Sequence, residues 1–277
     1  MQYVTKHGLK DMLKISSIES GDTLIIHSDI TSIGRTNHLS LRETLNMYYE
    51  AIMEVIGDEG TLCVPAFFYE YARNGIPFDI SLSPISKEVG LFPKFIQSLP
   101  NSKRSCNPLT SVCAVGKNAD YICEYVNRHA YGENSAFDRL YKVNAKLISI
   151  GNNLAFTICH LCEFQVGVPY LYNKIYNVPI LDNGKIIFEY SIGYVRYLEY
   201  DIKYSWQINK SWSEKTWLKE KFVNRHKYIN SEIYVVKVSD IFAYFKEQLY
   251  KNPYFFLTNK PNFIHGQIPN DGPVLKK

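Results

Sequence analysis

Hydrophobic positions along the chain follow two rhythms. Short unbroken apolar runs at residues 23–26, 61–64, 112–115 and 146–150 predict buried strands. Between them, apolar residues recur at helical intervals. Leu41, Leu45, Tyr48, Ile52 and Val55 share one face of a helix that Ser40 opens and Gly57 closes. Glu43 stands three residues after Ser40, a spacing at which each side chain can bond the other's backbone N–H. Residues 90–99 and 118–128 predict two further helices. In the second half, residues 185–190 and 232–238 predict strands, and an amphipathic helix follows over 239–250. Residues 67–84 carry Gly75, Pro77, Asp79 and Pro84 without a period, and predict a long loop of the kind that often holds function. The alternation predicts a mixed α/β chain, a mixed sheet flanked by helices. No Gly-, Ser- or Pro-rich linker interrupts it, so one compact domain is expected over residues 1–277.

Composition narrows the class. Hydrophobic residues make up 46% and charged residues 21%, which excludes disorder, collagen and coiled coil. No apolar run reaches the ~18 residues of a membrane span, so membrane insertion is not expected. The first residues lack the apolar stretch of a signal peptide, which predicts a cytoplasmic protein with its 6 cysteines reduced.

The net charge of +4 is unevenly spread. Up to Phe164 the chain holds 15 basic and 17 acidic residues; from Gln165 onward it holds 16 and 10. The part over residues 165–277 is therefore basic, and it is aromatic too: Tyr194, Arg196, Tyr197, Tyr200, Lys203, Tyr204, Trp206, Lys210 and Trp212. Such a set suits stacking on a base and pairing with a diphosphate, or forms a solvated face. No basic run or nucleic-acid-binding motif appears, so nucleic acid is not an expected partner.

His160 and Glu163 carry the clearest chemistry. On a helix their spacing puts both on one face. Imidazole titrates near pH ~6.5, which suits a general base, and a carboxylate can orient it. Cys159, His160, Cys162 and Glu163 are also conceivable metal ligands. Adjacent residues 159 and 160 diverge on a regular backbone and no second ligand pair is evident, so no metal is expected.

Several strings stand in order around this pair: Gly21-Asp22-Thr23-Leu24-Ile25-Ile26-His27-Ser28, Ser32-Ile33-Gly34, Gly60-Thr61-Leu62-Cys63-Val64-Pro65, Phe78-Asp79, Arg104-Ser105-Cys106-Asn107-Pro108 with Ser111, Gly132-Glu133-Asn134-Ser135, and His160-Leu161-Cys162-Glu163. In order and spacing they resemble the aminoglycoside 3-N-acetyltransferase family. The resemblance implies that family's fold and an acetyl-CoA-dependent N-acetyltransferase acting on the amine of an amino sugar. It implies His160 as base, Glu163 as its orienting carboxylate, and oxyanion donors near Thr157 or Ser111. For acetyl-CoA it implies His27, Ser28, Ser32, Ile33 and Gly34, helped by Arg104, Ser105 and Ser111, with Arg104 facing a phosphate or forming a structural ion pair. Tyr69, Asp79, Asn107 and Glu133 are the candidates for holding the acceptor.

Three positions depart from the family's pattern. Asn107 stands for a His, Arg35-Thr36-Asn37-His38 for a glycine pair, and Asp29 for a Ser. The basic, aromatic second part leads to the expectation of a nucleotide-linked amino sugar, as in surface polysaccharide synthesis. The alternatives are aminoglycoside acetylation, as in antibiotic resistance, and a non-catalytic CoA- or sugar-binding protein. A homo-oligomer is compatible with all of them.

Overall fold

The computed structural model describes residues 3–151, 157–197, 203–205, 216 and 222–261. The strands are β1 (Thr23–Ser28), β2 (Thr61–Pro65), β3 (Phe78–Asp79), β4 (Lys103–Arg104), β5 (Val112–Gly116), β6 (Lys146–Ile150), β7 (Leu171–Tyr176), β8 (Ile180–Asp182), β9 (Lys185–Phe188), β10 (Ser191–Arg196), β11 (Asn224–Tyr228) and β12 (Ser231–Lys237). The helices are α1 (Lys6–Ile15), α2 (Ile30–Ile33), α3 (Leu41–Ile56), α4 (Glu70–Asn74), α5 (Leu91–Gln97), α6 (Ala119–Cys123), α7 (Ala136–Lys142), α8 (Cys159–Val166) and α9 (Val238–Lys251).

The four apolar runs all enter one seven-stranded sheet, ordered β11-β12-β6-β1-β2-β5-β4. Its centre, β6-β1-β2, is parallel, and the flanking pairs are antiparallel. Alternation along β1 divides the core. Leu24 and Ile26 pack with Leu45, Tyr48 and Ile52 of α3 on one face. Ile25 packs in the cluster of Phe137, Leu161 and Phe242, from α7, α8 and α9, on the other. Ser40 and Glu43 form the expected reciprocal cap of α3, and Gly57 ends the helix at φ +66°. All 6 cysteines are buried free thiols. Among the described residues no helix is long and apolar enough to cross a membrane.

Two expectations change. The aperiodic segment 67–84 is not all loop: it contains α4 and β3. Its Phe68, Tyr71 and Phe78 are buried with Cys106, Val126 and Ile180 in a small core of their own, so tertiary burial orders what periodicity could not. The helix expected over 118–128 stops at Cys123, and Tyr125 takes φ +51°. Arg139 donates to the carbonyls of Tyr121, Glu124 and Tyr125, which satisfies the groups a continuing helix would have bonded.

Because β6, β1 and β2 run parallel, their carboxyl ends share one edge, where open α/β sheets bind ligands. At that edge Gly151 follows β6 at φ +116°, and a Cβ there would lie 2.9 Å from the Cβ of Asp29. Glycine lets the end of β6 close onto the residues after β1.

Candidate active site

A cleft of about 270 Å³ opens at this edge. β1 supplies His27 and Ser28, with Asp29 next to them; β6 supplies Ser149 and Ile150; Pro65, Phe67 and Tyr69 come from the end of β2 and beyond; Glu88 and Val89 close it. The Phe67 and Tyr69 rings lie 5.9 Å apart in its wall. Strand alternation turns His27 toward the α8 side of the sheet and Ser28 toward the α3 side. Ser28 Oγ is buried and has no hydrogen-bond partner among the described residues. The described lining carries two carboxylates, Asp29 and Glu88, and Glu88 is paired with Arg73, 2.5 Å away.

His27 leads to the reactive pair. Burial pushes its pKa down to about 4, so its imidazole is neutral near pH 7. Its Nε2 lies 3.4 Å from Thr157 Oγ1. The Thr157 carbonyl accepts the His160 N–H at 3.1 Å, opening the first turn of α8. That turn sets His160 Nδ1 2.5 Å from Glu163 Oε2. Glu163 is fully buried, while the His160 side chain keeps 28% exposure. With Nδ1 held by the carboxylate, Nε2 is the nitrogen that exchanges a proton. Burial disfavours the imidazolium, but Cys159 and Glu163 together outweigh it, and His160 titrates well above an ordinary imidazole. Glu163 also accepts the phenols of Tyr170, at 2.5 Å on Oε1, and Tyr204, at 3.2 Å on Oε2.

The metal geometry differs from expectation. Cys159, His160 and Glu163 do not diverge: their ligand atoms lie within 4.8 Å of one another, because the helix begins at this point. What they make in the structure is a hydrogen-bonded group. Burial holds the Cys159 thiol above its usual range, and both Glu163 oxygens already accept hydrogen bonds.

The remaining candidates divide sharply. Tyr69, His27 and Ser28 line the cleft. The Ser32 hydroxyl donates to the Asp29 carbonyl at 2.9 Å and meets Ser231 Oγ at 3.2 Å, Ile33 is fully buried, and Gly34 packs beneath Ile229. These three shape the turn after β1 and do not line the cleft.

Arg104 forms no ion pair with the described residues. Its guanidinium donates to the carbonyls of Ser83 and Ala66, each at 2.5 Å, and stacks 4.6 Å over Phe78. Ser105 and Ser111 are buried as well. Ser105 Oγ accepts the Val112 N–H at 2.9 Å, and the Ser111 hydroxyl donates to the Ala66 carbonyl at 2.5 Å, which removes it from both CoA and an oxyanion. Asn107 is buried and turned to the backbone. Its Nδ2 donates to the Arg128 and Ile192 carbonyls, and its Oδ1 accepts from the Leu109 and Thr110 N–H groups. Asp79 is occupied by the backbone N–H groups of Ser81, Leu82, Asn183 and Gly184; burial opposes its charge, yet these donors keep its pKa below the usual range. Glu133 is exposed on the loop before α7 and is not part of the cleft lining.

Of the basic aromatic run, Tyr200, Trp206, Lys210 and Trp212 lie outside the described residues. Lys203 is exposed, and the other described members pack on each other and on the pair. Tyr204 and Tyr194 reach Glu163, Tyr197 stacks on Tyr172 at 4.6 Å, and Arg196 lies 5.5 Å over Tyr204. Sequence reasoning missed Tyr170, Tyr204 and the His27–Thr157 contact as parts of the site. No local spacing marks them, since they meet Glu163 and Thr157 only through the fold.

Comparison with known proteins agrees with this geometry. The sequence profile of the aminoglycoside 3-N-acetyltransferase family matches residues 25–250. The chain is 26% identical over 211 residues to the SPbeta prophage-derived aminoglycoside N(3')-acetyltransferase-like protein YokD of Bacillus subtilis (strain 168), covering 67% of this chain and 73% of that protein. It is 26% identical over 200 residues to aminoglycoside N(3)-acetyltransferase III of Salmonella sp, covering 66% and 68%. In fold it is similar to AAC-IIIb, solved as a binary complex with CoASH, at a TM-score of 0.75 and 19% identity over 94% of this chain and 100% of that one. The match over most of its length means that the chain belongs to the aminoglycoside 3-N-acetyltransferase family, and it is an N-acetyltransferase whose co-substrate is acetyl-CoA.

Proposed function

We propose that this enzyme acetylates an amine of an aminoglycoside, with His160 as general base. The His160–Glu163 pair, linked to the cleft through Thr157 and the lining residue His27, carries the proposal. The cleft residues fit an acyl thioester: Ser28 Oγ is an unpaired buried hydroxyl in its wall, and its volume matches a thioester and the start of a pantetheine arm. When bound, acetyl-CoA supplies an acetyl carbon on which a C–N bond forms as the C–S bond breaks. His160 Nε2 takes the proton that the attacking amine must lose. The Glu163 carboxylate stabilises the resulting imidazolium. His160 then returns that proton to the departing sulfur, which leaves as a thiol. The Thr157 hydroxyl, beside the neutral His27, is the candidate donor to the carbonyl oxygen as negative charge develops there. Access to acetyl-CoA suits a cytoplasmic location.

The acceptor expectation reverses. A nucleotide-linked sugar would need cations at the cleft. The described lining has none of its own, and Arg73, which lies 4.9 Å over the Tyr69 ring, is paired with Glu88. The Asp29 carboxylate favours a cationic acceptor, which also accords with the names of the relatives. CoA thiol release, measured with an aminoglycoside bearing a 3-amino group and with a nucleotide-linked amino sugar, tests this. The aminoglycoside is expected to give the higher kcat/KM. Preference for the nucleotide sugar would overturn the acceptor assignment, and release with no amine of either class would favour a binding protein.

A further inference from the structure

The donors around Glu163 assign a task to the part of the chain after residue 165. A fully buried carboxylate needs hydrogen-bond donors on both oxygens. Here Oε1 accepts from Tyr170 at 2.5 Å, and Oε2 accepts from both His160 Nδ1 at 2.5 Å and Tyr204 at 3.2 Å. The Tyr204 phenol also lies 3.4 Å from His160 Nδ1. The two rings meet edge-on, 6.4 Å apart, so each phenol braces the other.

We propose that Tyr170 and Tyr204 are positioning residues that tune the proton affinity of His160 by drawing negative charge off Glu163. This rests on the reading of His160 as the base. A carboxylate beside an imidazole favours the imidazolium, and each phenol donor weakens that hold by spreading the charge. The effect lowers the proton affinity of Nε2, which Glu163 and Cys159 hold above that of an ordinary imidazole. Burial and the neighbouring carboxylate keep both phenols un-ionised, so they remain donors across the working range. The other groups facing the pair are the buried Cys159 thiol, the Tyr131 ring at 6.0 Å from the imidazole, Tyr194 on the Glu163 carbonyl, and Arg196 over Tyr204. The charge of Arg196 acts in the same direction as the phenols.

The test is the titration of the His160 imidazole by ¹⁵N NMR in the wild type, Tyr204→Phe and Tyr170→Phe, with the signal identified by its loss in His160→Ala. Both substitutions keep the ring and remove one hydroxyl. Tyr204→Phe should raise the His160 pKa by about one unit, and Tyr170→Phe, acting on the far oxygen, by less. The acid limb of kcat/KM should move with it: a fall of about tenfold at pH 7, recovery at alkaline pH, and an unchanged KM for acetyl-CoA. Should Tyr170→Phe melt early, Tyr204→Phe decides alone. A His160 titration that stays in place or moves down in folded Tyr204→Phe would overturn the proposal. The NMR readout needs no turnover, so a raised pKa in a protein that transfers no acetyl group would uphold the coupling and remove the base assignment instead.

Discussion

Two corners of this molecule carry equally family-like strings, and only one of them holds the reactive side chains. The Arg104–Ser111 corner is buried, and most of its polar groups are spent on the backbone: Arg104 Nη1 and Nη2 on two carbonyls, with its Nε left without a partner among the described residues, Asn107 on four main-chain groups, Ser105 and Ser111 on one each. The His160–Glu163 corner is built the other way. Glu163 is buried and bonded by side chains, and His160 keeps an exposed edge beside the cleft end of the sheet. A polar residue whose every group is satisfied by backbone is a bracket. A polar residue bonded on one side and partly exposed on the other can act on a ligand. Asn107 illustrates the rule, because the amide's two donor hydrogens and acceptor oxygen match four backbone partners that an imidazole could not serve together.

The comparison is broken most directly by His160→Ala. The expected loss is ~10²–10⁴ in kcat, the usual share of general-base catalysis, with some loss of stability because the buried Glu163 loses a partner. A variant of undiminished turnover would place the chemistry elsewhere. In the wild type, kcat/KM should rise with pH through an apparent pKa above the ~6.5 of an ordinary imidazole, because His160 must shed its proton before it can accept one. The same shift has the opposite sign in stability. A raised folded-state pKa contributes stability that is complete below the unfolded value and is lost as pH rises through the folded one.

Arg104→Ala should do the reverse of His160→Ala. Removing the guanidinium strands two buried carbonyl contacts and the stack on Phe78, at a cost of about 3 kcal/mol. For a chain of this size that lowers the melting temperature by roughly 5–10 °C. Activity per folded molecule should persist, and Arg104→Lys should not restore stability, since a point charge cannot reach both carbonyls. Loss of acetyl-CoA binding without loss of stability would return Arg104 to the phosphate site.

The smallest effect sharpens the contrast. Asn107→His puts back the family's residue. It should cost about 1–2 kcal/mol through unmatched backbone groups and leave kcat/KM within a few-fold in the folded protein. A gain in turnover would show that an imidazole at this position takes part in the chemistry.

Local information determined a good deal. The apolar runs became β1, β2, β5 and β6, and the Ser40–Glu43 cap and Gly57 bounded α3, because each depends on residues within a turn or a strand of one another. His160 and Glu163 were legible for the same reason, lying three apart on one helix. What the sequence could not decide was the surroundings of each polar side chain. Whether Arg104 meets a phosphate or a carbonyl depends on Ala66 and Ser83, which are 38 and 21 residues away. Whether the aromatic second part stacks on a ligand or clasps Glu163 depends on where Tyr170 and Tyr204 land after β7 and β10 have folded back. The charge count misled for the same physical reason. Net charge sums residues regardless of position, whereas a cleft responds to the few groups in and around its wall, here Asp29 and the Glu88–Arg73 pair. Local propensity and spacing wrote the strands, the helix ends and the reactive pair; long-range packing alone assigned the remaining polar residues to structure or to chemistry.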